Sequence, residues 1–140
     1  MRVVIDTNVF VSSLSSKSKF HWVIKLLIEG QFQLCVSAEI FLEYEEKLKE
    51  KYSQGVANSF LNSLKELPNV VYIESFYHWN LIQKDPDDNK FADCSVASNA
   101  HYLVSNDRHF AVLKQNQFPP INIITLEEFE TIILLANLLP

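Results

Sequence analysis

The amino-acid sequence predicts an α/β domain in which a central parallel sheet of four to five strands carries helices on both faces. Two observations lead there. Short apolar runs at residues 2–6, 32–36, 70–73, 102–104 and 122–124 alternate with longer segments whose apolar residues recur at helical spacing. The first run, Val3, Val4 and Ile5, is β-branched and apolar on both faces, as a strand buried inside a parallel sheet must be. With 140 residues, 48% of them apolar, the chain can bury a core without staples and is expected to form a single domain over residues 1–140.

The elements follow from local chemistry. Asp6 ends the first strand, and Thr7 or Asn8 can cap a short helix bearing Val9, Phe10, Val11 and Leu14. A polar loop at 12–19 follows. Phe20, Val23, Ile24, Leu27 and Ile28 mark an amphipathic helix that Gly30 stops. After the second strand, Ser37 caps a long helix with Ile40, Phe41, Tyr44 and Leu48 on its apolar side and Glu43 beside that stripe. A helix over about 56–67 is stopped by Pro68, and 75–85 reads as helix or loop. A helix over about 88–99 begins after Pro86, and a short helical turn spans 107–113. Thr125-Leu126-Glu127-Glu128 has the form of a capping box opening a terminal helix.

Charge and cysteine usage narrow the function. A formal net charge of −5 argues against binding nucleic acid through a broadly basic surface. The two cysteines, Cys35 and Cys94, lack metal-motif spacing and read as reduced core thiols. No apolar run reaches the length of about 20 residues that spans a bilayer, and the first residues read as a strand, so a cytoplasmic protein without a membrane partner is expected.

In parallel sheets ligands bind at the carboxyl ends of the strands. Asp6, Glu43 and Asp107 fall at or after such ends, and Asp88 opens the helix that feeds the strand before Asp107. Singly, each has an ordinary reading as a helix cap or a solvated charge. Together they predict a cleft in which carboxylates must repel unless a cation intervenes. An all-oxygen donor set favours Mg²⁺ or Mn²⁺, and such an ion is suited to phosphodiester hydrolysis. Lys90 and Arg108 flank the acids and can hold phosphates or simply face solvent.

Asp6-Thr7-Asn8 after the first strand, Glu43 in the third helix, the run 85–91 (DPDDNKF) and Val104-Ser105-Asn106-Asp107 together resemble the PIN-domain family, in particular its VapC-type toxin–antitoxin ribonucleases. The resemblance covers essentially the whole chain. It implies a three-layer α/β/α PIN-like fold, Mg²⁺- or Mn²⁺-dependent cleavage of RNA, and a cognate antitoxin. Residue by residue it implies Asp6, Glu43, Asp88 and Asp107 as catalytic, metal-site acids, with Asn8 and Ser105 orienting Asp6 and a water. Asp93 is a further metal candidate: ideal helix turns it about 140° from Asp88, so it joins only if Asp88 stands outside the helix as its cap. Where many relatives carry another acid, this chain has His109.

A PIN-fold module that binds RNA or protein without cutting is the alternative. A phosphatase with an aspartyl-phosphate mechanism wants Asp-x-Asp after the first strand and meets Asn8 instead. The terminal segment carries more apolar residues, Leu126 to Leu139, than one buried stripe requires, which predicts a homodimer or antitoxin contact unless its own sheet covers the excess.

Overall fold

Five short parallel strands form the sheet in the order β3-β2-β1-β4-β5. The computed structural model describes residues 1–74, 77–115 and 118–138. The strands are β1 (Arg2–Ile5), β2 (Gln33–Val36), β3 (Val70–Tyr72), β4 (Tyr102–Val104) and β5 (Ile123–Ile124). Between them lie α1 (Thr7–Ser13), α2 (Trp22–Ile28), α3 (Ala38–Lys51), α4 (Gln54–Glu66) and α5 (Asn89–Ala97), and α6 (Leu126–Leu138) closes the chain. Strand order runs outward from β1 to β3, then returns to β4 on the other side of β1. Because parallel crossovers are right-handed, that reversal puts helices on both faces and opens a crevice beside the end of β1.

Val3, Val4, Ile5, Leu34, Cys35, Val36, Leu103 and Val104 are fully buried, which is why these strands lack polar alternation. Both cysteines are free and buried. Burial pushes the Cys94 thiol up to about 12, so it is inert at neutral pH.

Expected helix signals form at two places: Ser37 Oγ accepts from Ile40 N at 3.3 Å, and Gly30 ends the α2 region at φ +77°. Neither Thr7 nor Asn8 caps α1, which starts at Thr7 with Asp6 in the N-cap position and no side-chain cap bond. Ser53, not expected as a cap, accepts from Val56 N at 3.1 Å. Thr125 and Glu128 cap each other reciprocally at 3.0 and 3.1 Å.

Two expectations are adjusted. The helix anticipated over about 88–99 forms as the slightly shorter α5, preceded by a 3-10 turn (Pro86–Asp88) that Pro86 begins. The anticipated turn at 107–113 is a 3-10 segment over Arg108–Gln115. In the anticipated helix or loop at 75–85, residues 77–85 form no regular element, and 75–76 lie outside the described residues.

On α6, Leu126, Phe129 and Ile133 are buried, whereas Leu134 and Leu135 are more than half exposed. Leu139 lies outside the described residues. No helix among the described residues is long and apolar enough to cross a membrane.

One contact ties α3 to the end of β1. The Tyr44 hydroxyl donates to the Ile5 carbonyl, and its ring stacks on Phe10 at 4.1 Å between centroids. Both rings are fully buried. Tyr44→Phe keeps the stack but strands that carbonyl, so equilibrium urea unfolding should show a loss of about 1–3 kcal/mol with unchanged slope. An unchanged midpoint would mean that the hydroxyl anchors nothing.

Candidate functional site

The register of β1 against β4 places Ile5 beside Val104, so the next residues of each strand meet. Asp6 N donates to Val104 O at 3.0 Å, and Ser105 Oγ donates to Asp6 Oδ2 at 2.9 Å. Asp6 is 6% exposed. Desolvation raises its carboxyl to about 6, the Ser105 hydrogen bond pulls the other way, and the charges of Asp107 and Glu43 add to the rise. Ser105 also accepts from Asp107 N at 3.0 Å, while Asp107 Oδ1 accepts from His109 N at 2.9 Å. The ordinary capping role of Asp107 is therefore present alongside its place near Asp6.

Glu43 reaches the same region from the second turn of α3. Thr7 Oγ1 donates to its Oε2, and Lys90 Nζ lies 3.1 Å from its Oε1. Lys90 is also tied to Asp87 O at 2.7 Å. This largely buried ammonium offsets one carboxylate and links α3 to the start of α5.

Asp88 makes no side-chain cap bond to α5, and its Oδ2 is buried without a hydrogen-bond partner. The reading of Asp88 as a mere helix cap therefore fails at the atom that should do the capping. Desolvation first, then the charges of Asp85, Asp6 and Asp107, push its carboxyl up to about 7, with His109 opposing. Asp88, Asp6 and Asp107 thus share one electrostatic neighbourhood. Ligand atoms of Asp85, Asp88 and His109 lie within 4.8 Å of one another, the one such trio among the described residues.

Of the four expected metal-site acids only Asp88 belongs to that trio, and among the described residues Asp6, Glu43 and Asp107 are in no such group. His109 Nδ1 stands 3.6 Å from Asp107 Oδ1 and 3.9 Å from Asp85 Oδ2. Asp85 was visible in sequence only as part of the DPDD run, and nothing local signals that its side chain approaches Asp88 and His109. Asp93 departs the other way. It is buried, but Trp79 N donates to its Oδ1 at 3.1 Å and His78 lies 3.4 Å from its Oδ2, so it faces the 77–79 loop. Asp88 does stand at the helix N-terminus, and Asp93 is nevertheless used elsewhere. Asn8 is exposed and lines a cavity of about 270 Å³ together with Asp6 and Asp107. Among the described residues its side chain makes no hydrogen bond to Asp6.

Asp88, with its buried, unpartnered carboxylate oxygen, forms with Asp85 and His109 a donor set that fits a divalent cation. Parallel α/β architecture with acids at the carboxyl ends of its central strands defines a class: an α/β domain with an acidic site at its strand ends. The PIN domain family model matches residues 2–109, and the chain belongs to that family. Among solved structures, VapBC2 from Rickettsia felis, crystallised bound to a DNA fragment from their promoter, matches at TM-score 0.62 and 17% identity over 89% of this chain and 98% of that one. FitAB bound to an IR36 DNA fragment matches at TM-score 0.56 and 12% identity, covering 89% and 94%. PAE2754 from Pyrobaculum aerophilum matches at 0.60 and 13%, covering 96% and 89%. No curated protein matches the chain. At these identities the structures share the fold.

The raised carboxyls set a pH dependence. A carboxyl with a folded pKa above its ordinary value favours folding below the unfolded pKa, and that contribution is lost as pH climbs through the folded value. Without metal, the Asp88 contribution should thus disappear as pH rises through about 7. Asp88→Asn should raise the melting temperature more at pH 8 than at pH 5, where the folded carboxyl is still protonated and only the unfolded one is ionised. Equal shifts at both pH values in a thermal scan with EDTA would contradict the assignment.

Proposed function

We propose that the protein is a Mg²⁺- or Mn²⁺-dependent endoribonuclease and the toxin of a toxin–antitoxin pair. The observation that carries the nuclease reading is the partnerless, buried Asp88 oxygen beside Asp6 and Asp107 at the carboxyl ends of the central strands. Membership of the PIN family and the fold shared with VapBC2 and FitAB support the toxin reading.

In this reading Asp6, Asp88 and Asp107 hold the cation, with Glu43 completing the acid set from α3. When bound, a divalent cation lowers the pKa of a water and offsets charge on the phosphate. Ser105 fixes the Asp6 carboxylate through its hydroxyl. Lys90 and Thr7 hold the two Glu43 oxygens, so that acid is oriented before substrate arrives. Asn8 lies on the open side of the cleft, where it can position a water or the RNA backbone. Asp93 holds the 77–79 loop in place.

Asp6→Asn should reduce RNA cleavage by at least about 100-fold while the protein stays folded by circular dichroism. The assay is purified protein with Mn²⁺ and mixed RNA, read as discrete fragments that EDTA suppresses. Cleavage by Asp6→Asn at the parental rate sinks the site assignment. RNA that is bound but never cut by the parent favours the binding-module alternative.

The exposed Leu134 and Leu135 face of α6 is the contact we assign to a homodimer, with the antitoxin helix laid beside it in a groove that includes Trp22 and Leu26. Light scattering should return a dimer mass that Leu135→Glu converts to monomer; a parental monomer at micromolar concentration removes the dimer.

A further inference from the structure

Three aromatic rings crowd one exposed spot beyond the acids. Tyr77 and Trp79 lie 4.6 Å apart between ring centroids at 60°, and Trp79 meets Phe118 edge-on at 5.8 Å and 80°. Tyr77 is 65% and Phe118 77% exposed. Scattered exposed apolar residues need no explanation, but three contiguous rings on a chain with net charge −5 do.

The rings are held in place. Asp93 grips Trp79 N, and Asn89 makes two hydrogen bonds of 2.9 Å to the backbone of Ile82. The 77–85 loop is therefore clamped to α5, the helix that Asp88 opens. Two contacts join this loop to the 108–118 segment: Trp79 with Phe118, and Asp85 with His109 at 3.9 Å. Between the same two segments lies a groove of about 730 Å³, lined by Leu81, Lys84, Arg108, His109 and Val112 among others. It meets the acid cluster at His109. Lys84 and Arg108 are exposed, and among the described residues neither is ion-paired.

We infer that this groove and the ring cluster form a track for a single strand of RNA, with unpaired bases stacked on Tyr77 and Phe118 and phosphates held by Lys84 and Arg108. The inference rests on the nuclease reading and specifies its substrate class. Stacking needs an open ring face, which a base inside a duplex cannot offer. Two unpaired cations on a wall leading to an acidic cluster are complementary to a phosphate chain entering it. A protein partner would use the rings but has no comparable need for both cations beside the acids.

The test is fluorescence anisotropy with a labelled oligouridylate of about ten nucleotides in EDTA, so that binding is read without cleavage. Tyr77→Ala and Phe118→Ala should each weaken binding about 10-fold. Tyr77→Phe should retain it, because stacking needs the ring and not the hydroxyl. Lys84→Ala and Arg108→Ala should each reduce the slope of log affinity against log salt by about 0.7. An RNA duplex of equal length should bind alike to the parent and the ring variants.

Both side chains are largely exposed, so the alanine variants should fold, and a thermal melt checks this. Parental affinity in both alanine variants overturns the inference, even if the parent cleaves RNA. Loss of binding in those variants supports the inference even if no preparation cleaves. Absence of oligonucleotide binding by the parent at roughly 100 µM assigns the rings to a protein contact and overturns it.

Discussion

Asp6 is a carboxylate with 6% exposure at the end of the central strand, and the surrounding structure must make that burial tolerable. Burial and the neighbouring charges of Asp107 and Glu43 both favour its protonated form. Against them stand two neutral donors, the Thr7 backbone N–H and, more strongly, the Ser105 hydroxyl. That hydroxyl is present because β4 pairs with β1 in a register that sets Ser105 beside Asp6. The sheet topology therefore matters to the site directly, since any other neighbour of β1 would leave the carboxylate with less support.

Further out, each acid is constrained by a contact from a different part of the chain. Tyr44 fixes α3 to the Ile5 carbonyl one residue before Asp6, which brings the adjacent Glu43 over the strand end. Thr7 and Lys90 then hold the two Glu43 oxygens. Asp88 differs in having no such neutralising partner at its buried oxygen. The site is thus compensated at Glu43, half-compensated at Asp6 and uncompensated at Asp88. That gradient supports the proposed cation site, because affinity comes from charge left unsatisfied by the fold.

The strands and caps were legible in the sequence because they depend on neighbours within a few residues. Ser37 and Thr125 cap helices through bonds to residues three positions on. Asp6 and Asp107 were legible because strand ends converge in a parallel sheet. Contacts between distant segments were not. The approach of Asp85 to His109 depends on how the 3-10 turn begun by Pro86 sits against Arg108–Gln115, which no periodicity encodes. Asp93 was a metal candidate that helix geometry admitted only with Asp88 as the cap, and the fold instead gives its Oδ1 to the Trp79 N–H. Lys90 read as a surface charge or phosphate holder, and the fold uses it against Glu43.

Titration calorimetry of the metal-free protein with Mn²⁺ near pH 6.5, repeated in buffers of different ionisation enthalpy, counts the protons that binding displaces. With Asp6 at about 6 and Asp88 at about 7, a cation held by these carboxyls should release about one proton per ion bound. Release should fall toward zero at pH 9. Binding that displaces no proton at pH 6.5, or no saturable binding, would contradict a cation site built on Asp6 and Asp88.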